Sequence, residues 1–66
     1  MDLVLNGEAY RHTGPATIAG LLRACQAEPG RTAVMVNGEV VCSSQFANVR
    51  LSDGDEVELI MIAAGG

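Results

Sequence analysis

The stretch Leu51-Ser52-Asp53-Gly54-Asp55-Glu56-Val57-Glu58-Leu59-Ile60-Met61-Ile62-Ala63-Ala64-Gly65-Gly66 closes the sequence and decides how the rest of it is arranged. Asp53-Gly54-Asp55 is turn chemistry: short acidic side chains that bond back to their own backbone, around a residue that accepts positive φ. Residues 56–62 then alternate, with Val57, Leu59 and Met61 on one side and Glu56, Glu58, Ile60 and Ile62 on the other. That is the period of a strand. Its first side is apolar throughout, whereas its second changes from acidic to apolar along its length. The strand leads directly into Ala63-Ala64-Gly65-Gly66.

Upstream, Ala33 to Val36 is rich in β-formers, Asn37-Gly38 is a two-residue hairpin signal, and Glu39 to Val41 returns as a short strand. Between this hairpin and the final turn, residues 43–49 have no clean period. Ser43 or Ser44 is placed there to cap a single helical turn that drops Phe46 onto the core. Earlier, Ile18, Leu21, Leu22 and Cys25 follow the i, i+3, i+4, i+7 spacing of a helix with one buried face, and Thr17 is its N-cap. Glu28-Pro29-Gly30 is expected to end that helix. At the start, Asp2 to Leu5, Asn6-Gly7 and Glu8 to His12 make a first hairpin, which Thr13-Gly14-Pro15 breaks.

The order is therefore two strands, a helix, two strands, an irregular turn and a last strand. The helix serves as a crossover that lets the last strand lie beside the first. The expected fold class is α+β: a β-grasp with a mixed sheet of about five strands and one main helix packed on one face. The other face has no helix to cover it, so Ile60 and Ile62 are expected to be at least partly exposed. Apolar side chains left on such a face mark a docking surface for a protein partner.

Composition narrows the function. At 66 residues the chain has room for one domain with a modest core, because chains this short bury only about 60% of the surface that their unfolded forms expose. Hydrophobic residues make up 48%, but Tyr10 and Phe46 are the only aromatics, so the core is aliphatic. Eight acidic residues against four arginines give a net charge of −4, which argues against nucleic acid or an anionic membrane as partner. No lysine is present to accept an isopeptide bond. Internal repeats and low-complexity tracts are also absent, and no leader pattern or apolar run of spanning length occurs. The expectation is a soluble, cytoplasmic protein.

The residues offer no constellation of nucleophile, base and oxyanion donors, and neither cysteine belongs to a C-x-x-C pair suited to metal. His12, the only histidine, falls on an expected edge strand without an obvious partner, which suits a solvated or packing role. Cys25 sits on the buried helix face, where a cysteine behaves as a small hydrophobe. Cys42 is expected to be more exposed, and transient persulfide handling is the minor alternative there, with no cationic neighbour evident in the sequence to favour it. Asp53, Asp55, Glu56 and Glu58 read either as a turn and a solvated strand face or as a patch that steers the chain toward a basic rim.

Taken in order, the first asparagine-glycine turn, Val36-Asn37-Gly38-Glu39-Val40-Val41, Leu51-Ser52-Asp53-Gly54-Asp55-Glu56-Val57 and the closing Gly65-Gly66 resemble the ThiS family, ubiquitin-like sulfur carriers of thiamine biosynthesis. The resemblance runs over essentially the whole chain. Phe46 falls where such sequences often carry tryptophan. The resemblance implies one domain, 1–66, with a flexible C-terminal tail, 63–66, and a carrier rather than an enzyme. Gly66 is the residue modified: its carboxylate is adenylated and then converted to a thiocarboxylate. Gly65, Ala64 and Ala63 form a slender segment that enters a partner's channel, and glycine suits such close approach because it has no Cβ. No cofactor is bound; ATP is used by the partner. The implied partners are an E1-like, ThiF-like adenylyltransferase, a ThiG-like thiazole synthase, and a cysteine desulfurase or sulfur relay protein. The related molybdopterin-synthase small subunits share fold and tail, so another client pathway stays open, as does a ubiquitin-like protein modifier.

Overall fold

The computed structural model describes residues 1–62. The tail assigned to 63–66 lies outside the described residues. Strands β1 (Asp2–Leu5) and β2 (Glu8–Arg11) form the first hairpin, α1 spans Ile18–Ala24, β3 (Thr32–Val36) and β4 (Glu39–Val41) form the second hairpin, and β5 spans Glu56–Met61. The sheet order is β2-β1-β5-β3-β4. β1 runs parallel to β5, with Val4 opposite Glu56, and β3 runs antiparallel to it, from Thr32 opposite Met61 to Val36 opposite Val57. This mixed sheet carrying one helix is the ubiquitin-like β-grasp, with the last strand at its centre.

Both hairpins turn where the sequence places them. Asn6 and Asn37 each have φ of 50°, followed by Gly7 at 83° and Gly38 at 84°. Two successive positive φ values match the right-handed twist of the flanking strands, and asparagine and glycine tolerate them best.

The helix buries Ile18, Leu21 and Leu22 against Leu3, Val34, Phe46, Leu51 and Val57. Each such side chain contributes about 1.5–3 kcal/mol when fully buried. Seven residues are too few to hold a helix alone, so packing and end bonds maintain it. Thr17 is the N-cap, its Oγ1 accepting from Gly20 N at 3.0 Å. Ala19 N donates to Phe46 O at 2.9 Å and Leu51 N to Ala16 O at 2.8 Å, which ties the helix start to the segment before the last strand. A Cβ on Gly20 would come within 2.4 Å of the Pro15 carbonyl oxygen, so this glycine is there for close packing against the preceding loop.

Four expectations need correction. The helix ends at Ala24, earlier than Glu28-Pro29-Gly30 implies, because Gln26 adopts a left-handed φ of 58°. Gln26 N then donates to Arg23 O and Ala27 N to Leu22 O, a reciprocal pair that closes the last turn as a Schellman motif. Pro29–Arg31 form a separate 3-10 turn. The turn at Ser43–Gln45 does place Phe46 in the core, but Cys42, not Ser43 or Ser44, occupies its N-cap, with no side-chain bond. His12 lies just beyond β2 instead of on it, and it has a partner: of the solvated and packing roles it takes the packing one, buried with its Nε2 2.7 Å from the Pro15 carbonyl oxygen, which it meets as donor. Finally, β5 stops at Met61, and Met61 is 71% exposed although it shares the side of Val57, since the short helix does not reach that far.

A left-handed glutamine is strained where glycine is not. Gln26→Gly is therefore expected to raise stability by about 0.5–1 kcal/mol, measured by urea unfolding, with the slope of the transition unchanged.

Candidate functional site

β5 presents the surface on which the site is built. Its outward row runs Glu56, Glu58, Ile60, and register places Ala33 beside Ile60 and Met35 beside Glu58, with Val40 of β4 next to Met35. Among the described residues no helix covers this face. Ile60 is 51% exposed, Ile62 58% and Val40 73%, so the two isoleucines stand where the sequence puts them. A shallow hollow of about 290 Å³ lies at the acidic end, lined by Met35, Asn37, Gly38, Glu56 and Glu58. The face is thus apolar toward Ile62 and acidic toward the turn.

The structure divides the acidic run in two. Asp53 Oδ1 accepts from Asp2 N at 2.8 Å, and Asp55 accepts from Ser52 N at 2.9 Å and Asn37 Nδ2 at 3.2 Å. These carboxylates build the turn. Glu56 and Glu58 are exposed on the uncovered face and make no ion pair among the described residues. They are the acidic side chains that this face leaves open to solvent.

Two asparagine side chains that the sequence reading passed over hold β5 in place. Asn6 Oδ1 accepts from Leu59 N at 2.9 Å, beyond the point where β1 ends, and Asn37 Oδ1 accepts from Glu56 N at 3.0 Å, beyond the end of β3. Each asparagine both makes a turn and lengthens the hydrogen-bond ladder of the central strand. The only signal in the sequence is the choice of asparagine over aspartate or glycine at both turns.

Ile62 is the last described residue, and its N–H donates to the Arg31 carbonyl at 2.7 Å. Ala63, Ala64, Gly65 and the expected modification point Gly66 lie outside the described residues. A larger open groove of about 670 Å³ runs along the outer side of α1, lined by Pro15, Gly20, Arg23, Gln26, Ala27 and Pro29 among others. It offers no nucleophile or acid–base pair. Among the described residues no cluster of His, Cys, Asp and Glu is placed to hold a metal ion, and no helix is long and apolar enough to cross a membrane.

Residues 3–66 match the model of a family described as the ThiS family. This chain belongs to that family. It is 35% identical over 66 residues to a thiazole synthase of Paramagnetospirillum magneticum; the match covers all of this chain and 20% of that protein, so the chain spans about a fifth of the length of this curated relative. It superposes on the crystal structure of a thiamine biosynthesis protein (ThiS) from Geobacter metallireducens with a TM-score of 0.82 at 32% identity, covering the whole of both chains. The solution structure of a thiamine biosynthesis protein from the same organism gives 0.81 at 32% identity, over all of this chain and 88% of that one. With ThiS membership established, the exposed apolar row of β5 and the segment that follows it become the parts to explain.

The cysteines take different positions. Cys42 is exposed, as expected, while Cys25 is only half-buried and directs its thiol to the Tyr10 phenol, Sγ to Oη 3.8 Å. This pair raises the Tyr10 pKa above its ordinary 10.0, through the hydrogen bond to Cys25 first, then desolvation, then the charge of the sulfur. The hydrogen bond favours the neutral phenol, and desolvation disfavours its charged form. A raised folded-state value gives stability that is present below the unfolded phenol's pKa and is lost as pH rises through the folded one. Cys25→Ala should shift the ultraviolet titration of the tyrosine to lower pH, toward 10.0, and reduce the alkaline loss of stability in a pH series of thermal melts.

Proposed function

We propose that this chain is a sulfur carrier for thiazole formation in thiamine biosynthesis, and that the carboxylate of Gly66 is its working group. The observation that carries this reading is the ThiS match over residues 3–66, which includes the closing Gly65-Gly66. The thiazole synthase relative supports the client. A carboxylate is a poor acyl donor, because its oxygen is a poor leaving group. An E1-like, ThiF-like adenylyltransferase overcomes this by joining the Gly66 carboxylate to the α-phosphate of ATP, releasing pyrophosphate. The outer sulfur of a cysteine desulfurase or relay persulfide then displaces AMP to form an acyl disulfide, a thiol reductant cleaves its S–S bond and is left in a new disulfide, and the thiocarboxylate so released supplies sulfur to the thiazole synthase. The chain is a protein substrate throughout; ATP belongs to its partner.

The geometry of β5 supports a division of labour. Ile60 and Ile62 give an apolar docking face, Glu56 and Glu58 give it an acidic margin that attracts a basic rim, and the glycines beyond provide a narrow approach. Ala63 and Ala64 keep that approach slim.

Incubation with adenylyltransferase, ATP and a sulfur source is expected to change the intact mass by one sulfur-for-oxygen exchange, localised to Gly66 by fragmentation. Removal of Gly66 should abolish the change while leaving the melting temperature where it was. An unaltered mass with competent partners would defeat the reading.

Ile60→Lys tests the docking face. Affinity for the adenylyltransferase should fall about tenfold or more, while stability changes by less than about 1 kcal/mol because the side chain is half exposed. Calorimetric binding and urea unfolding of the same variant separate the two effects.

A further inference from the structure

Two polar side chains are buried among the described residues, His12 and Thr32. His12 secures the loop before the helix. Thr32 is 5% exposed, and its Oγ1 donates to the Glu28 carbonyl at 2.7 Å. Arg31 N donates to the same carbonyl at 3.0 Å, so both lone pairs of that oxygen are used and the Pro29–Arg31 turn is fixed from within. An ion pair between Arg31 and Glu28, 3.5 Å long, spans the turn, but its side chains are 62% and 73% exposed, and such pairs contribute little. The buried hydroxyl is the firmer hold.

What this turn holds is the root of the C-terminal segment. β5 ends at Met61, opposite Thr32, yet one more bond follows: Ile62 N to the Arg31 carbonyl at 2.7 Å. It is the last backbone bond before residue 63 among the described residues. We propose that Thr32 is a positioning residue for transfer, setting through Glu28 and Arg31 the point from which Ala63-Ala64-Gly65-Gly66 departs. This rests on the carrier reading above. Four residues reach at most about 14 Å beyond Ile62. If the clasp at Ile62 opens, Ile62 loses its fixed place and must be ordered anew each time the carboxylate enters a partner's active site. Ordering one residue costs about a five- to thirty-fold factor in the population of the productive state. The docking face around Ile60 does not change, so rate falls without a matching loss of affinity.

Thr32→Val removes the hydroxyl and keeps the shape; Thr32→Ser restores the hydroxyl. In the carrier alone, amide hydrogen exchange followed by NMR should show Ile62 losing protection by about tenfold or more in Thr32→Val, with Val34 and Val57 protected as before and Thr32→Ser close to the parent. In single-turnover adenylation, the maximal rate of Thr32→Val should fall about five- to thirty-fold, with the half-saturating partner concentration within about twofold, and Thr32→Ser should recover it. Should Thr32→Val fail to fold, Ile62→Pro against Ile62→Ala reads the clasp directly, since proline removes the donor and alanine keeps it; the proline variant should be slower by the same factor. Unchanged Ile62 protection overturns the proposal, as does faster exchange with an unchanged maximal rate or a fall in rate and affinity together. If the parent protein is not adenylated at all, the carrier reading fails, and the exchange measurement still decides whether Thr32 holds the clasp.

Discussion

Strand β5 is paired along both edges, parallel to β1 and antiparallel to β3, and the rest of the molecule depends on that double pairing. The two hairpins do not otherwise meet within the sheet. Neither neighbour is long enough to cover β5 completely, so the side-chain amides of Asn6 and Asn37 supply acceptors where the backbone of each has turned away. An unpaired N–H beside a neighbouring strand invites slippage of register. The two asparagines remove that freedom on opposite edges of the strand, using residues that the turns already require.

The helix depends on its surroundings to a similar degree. It is short, contains a glycine, and stops on a left-handed glutamine, none of which favours a helix in isolation. Its place is secured by what adjoins it: the Pro15 loop lies so close to Gly20 that no side chain fits between them, and His12 holds that loop from beneath. The second ring nitrogen of His12, Nδ1, is buried with no hydrogen-bond partner among the described residues. At the far end, Thr32 secures the chain as it leaves the 3-10 turn and enters β3.

Much of this was legible in the residues themselves. Asn6-Gly7 and Asn37-Gly38 carry their turn geometry in their chemistry, and the Ile18, Leu21, Leu22 spacing with Thr17 before it identifies a capped helix without tertiary information. The helix end was not legible, because a left-handed glutamine has no compositional mark and the nearby Pro29-Gly30 is a stronger stop signal that serves another turn. Burial of His12 depends on a loop folding back over it, which no local pattern records. In the candidate site, exposure of Ile60 and Ile62 follows from having one helix for two faces. The different duties of Asp53 and Asp55 as against Glu56 and Glu58 do not follow, since they depend on donors from Asp2 and Asn37, distant in sequence.

The parallel pairing of Val4 with Glu56 joins opposite ends of the described chain. Forming a contact of that kind requires closing the long loop between its members, an entropy cost that the local hairpins do not carry. Losing β5 therefore does not loosen one margin of the protein; it parts the sheet into halves with no shared edge. The C-terminal segment continues from that same strand. A partner that engaged β5 would therefore meet that surface complete only on a fully assembled protein.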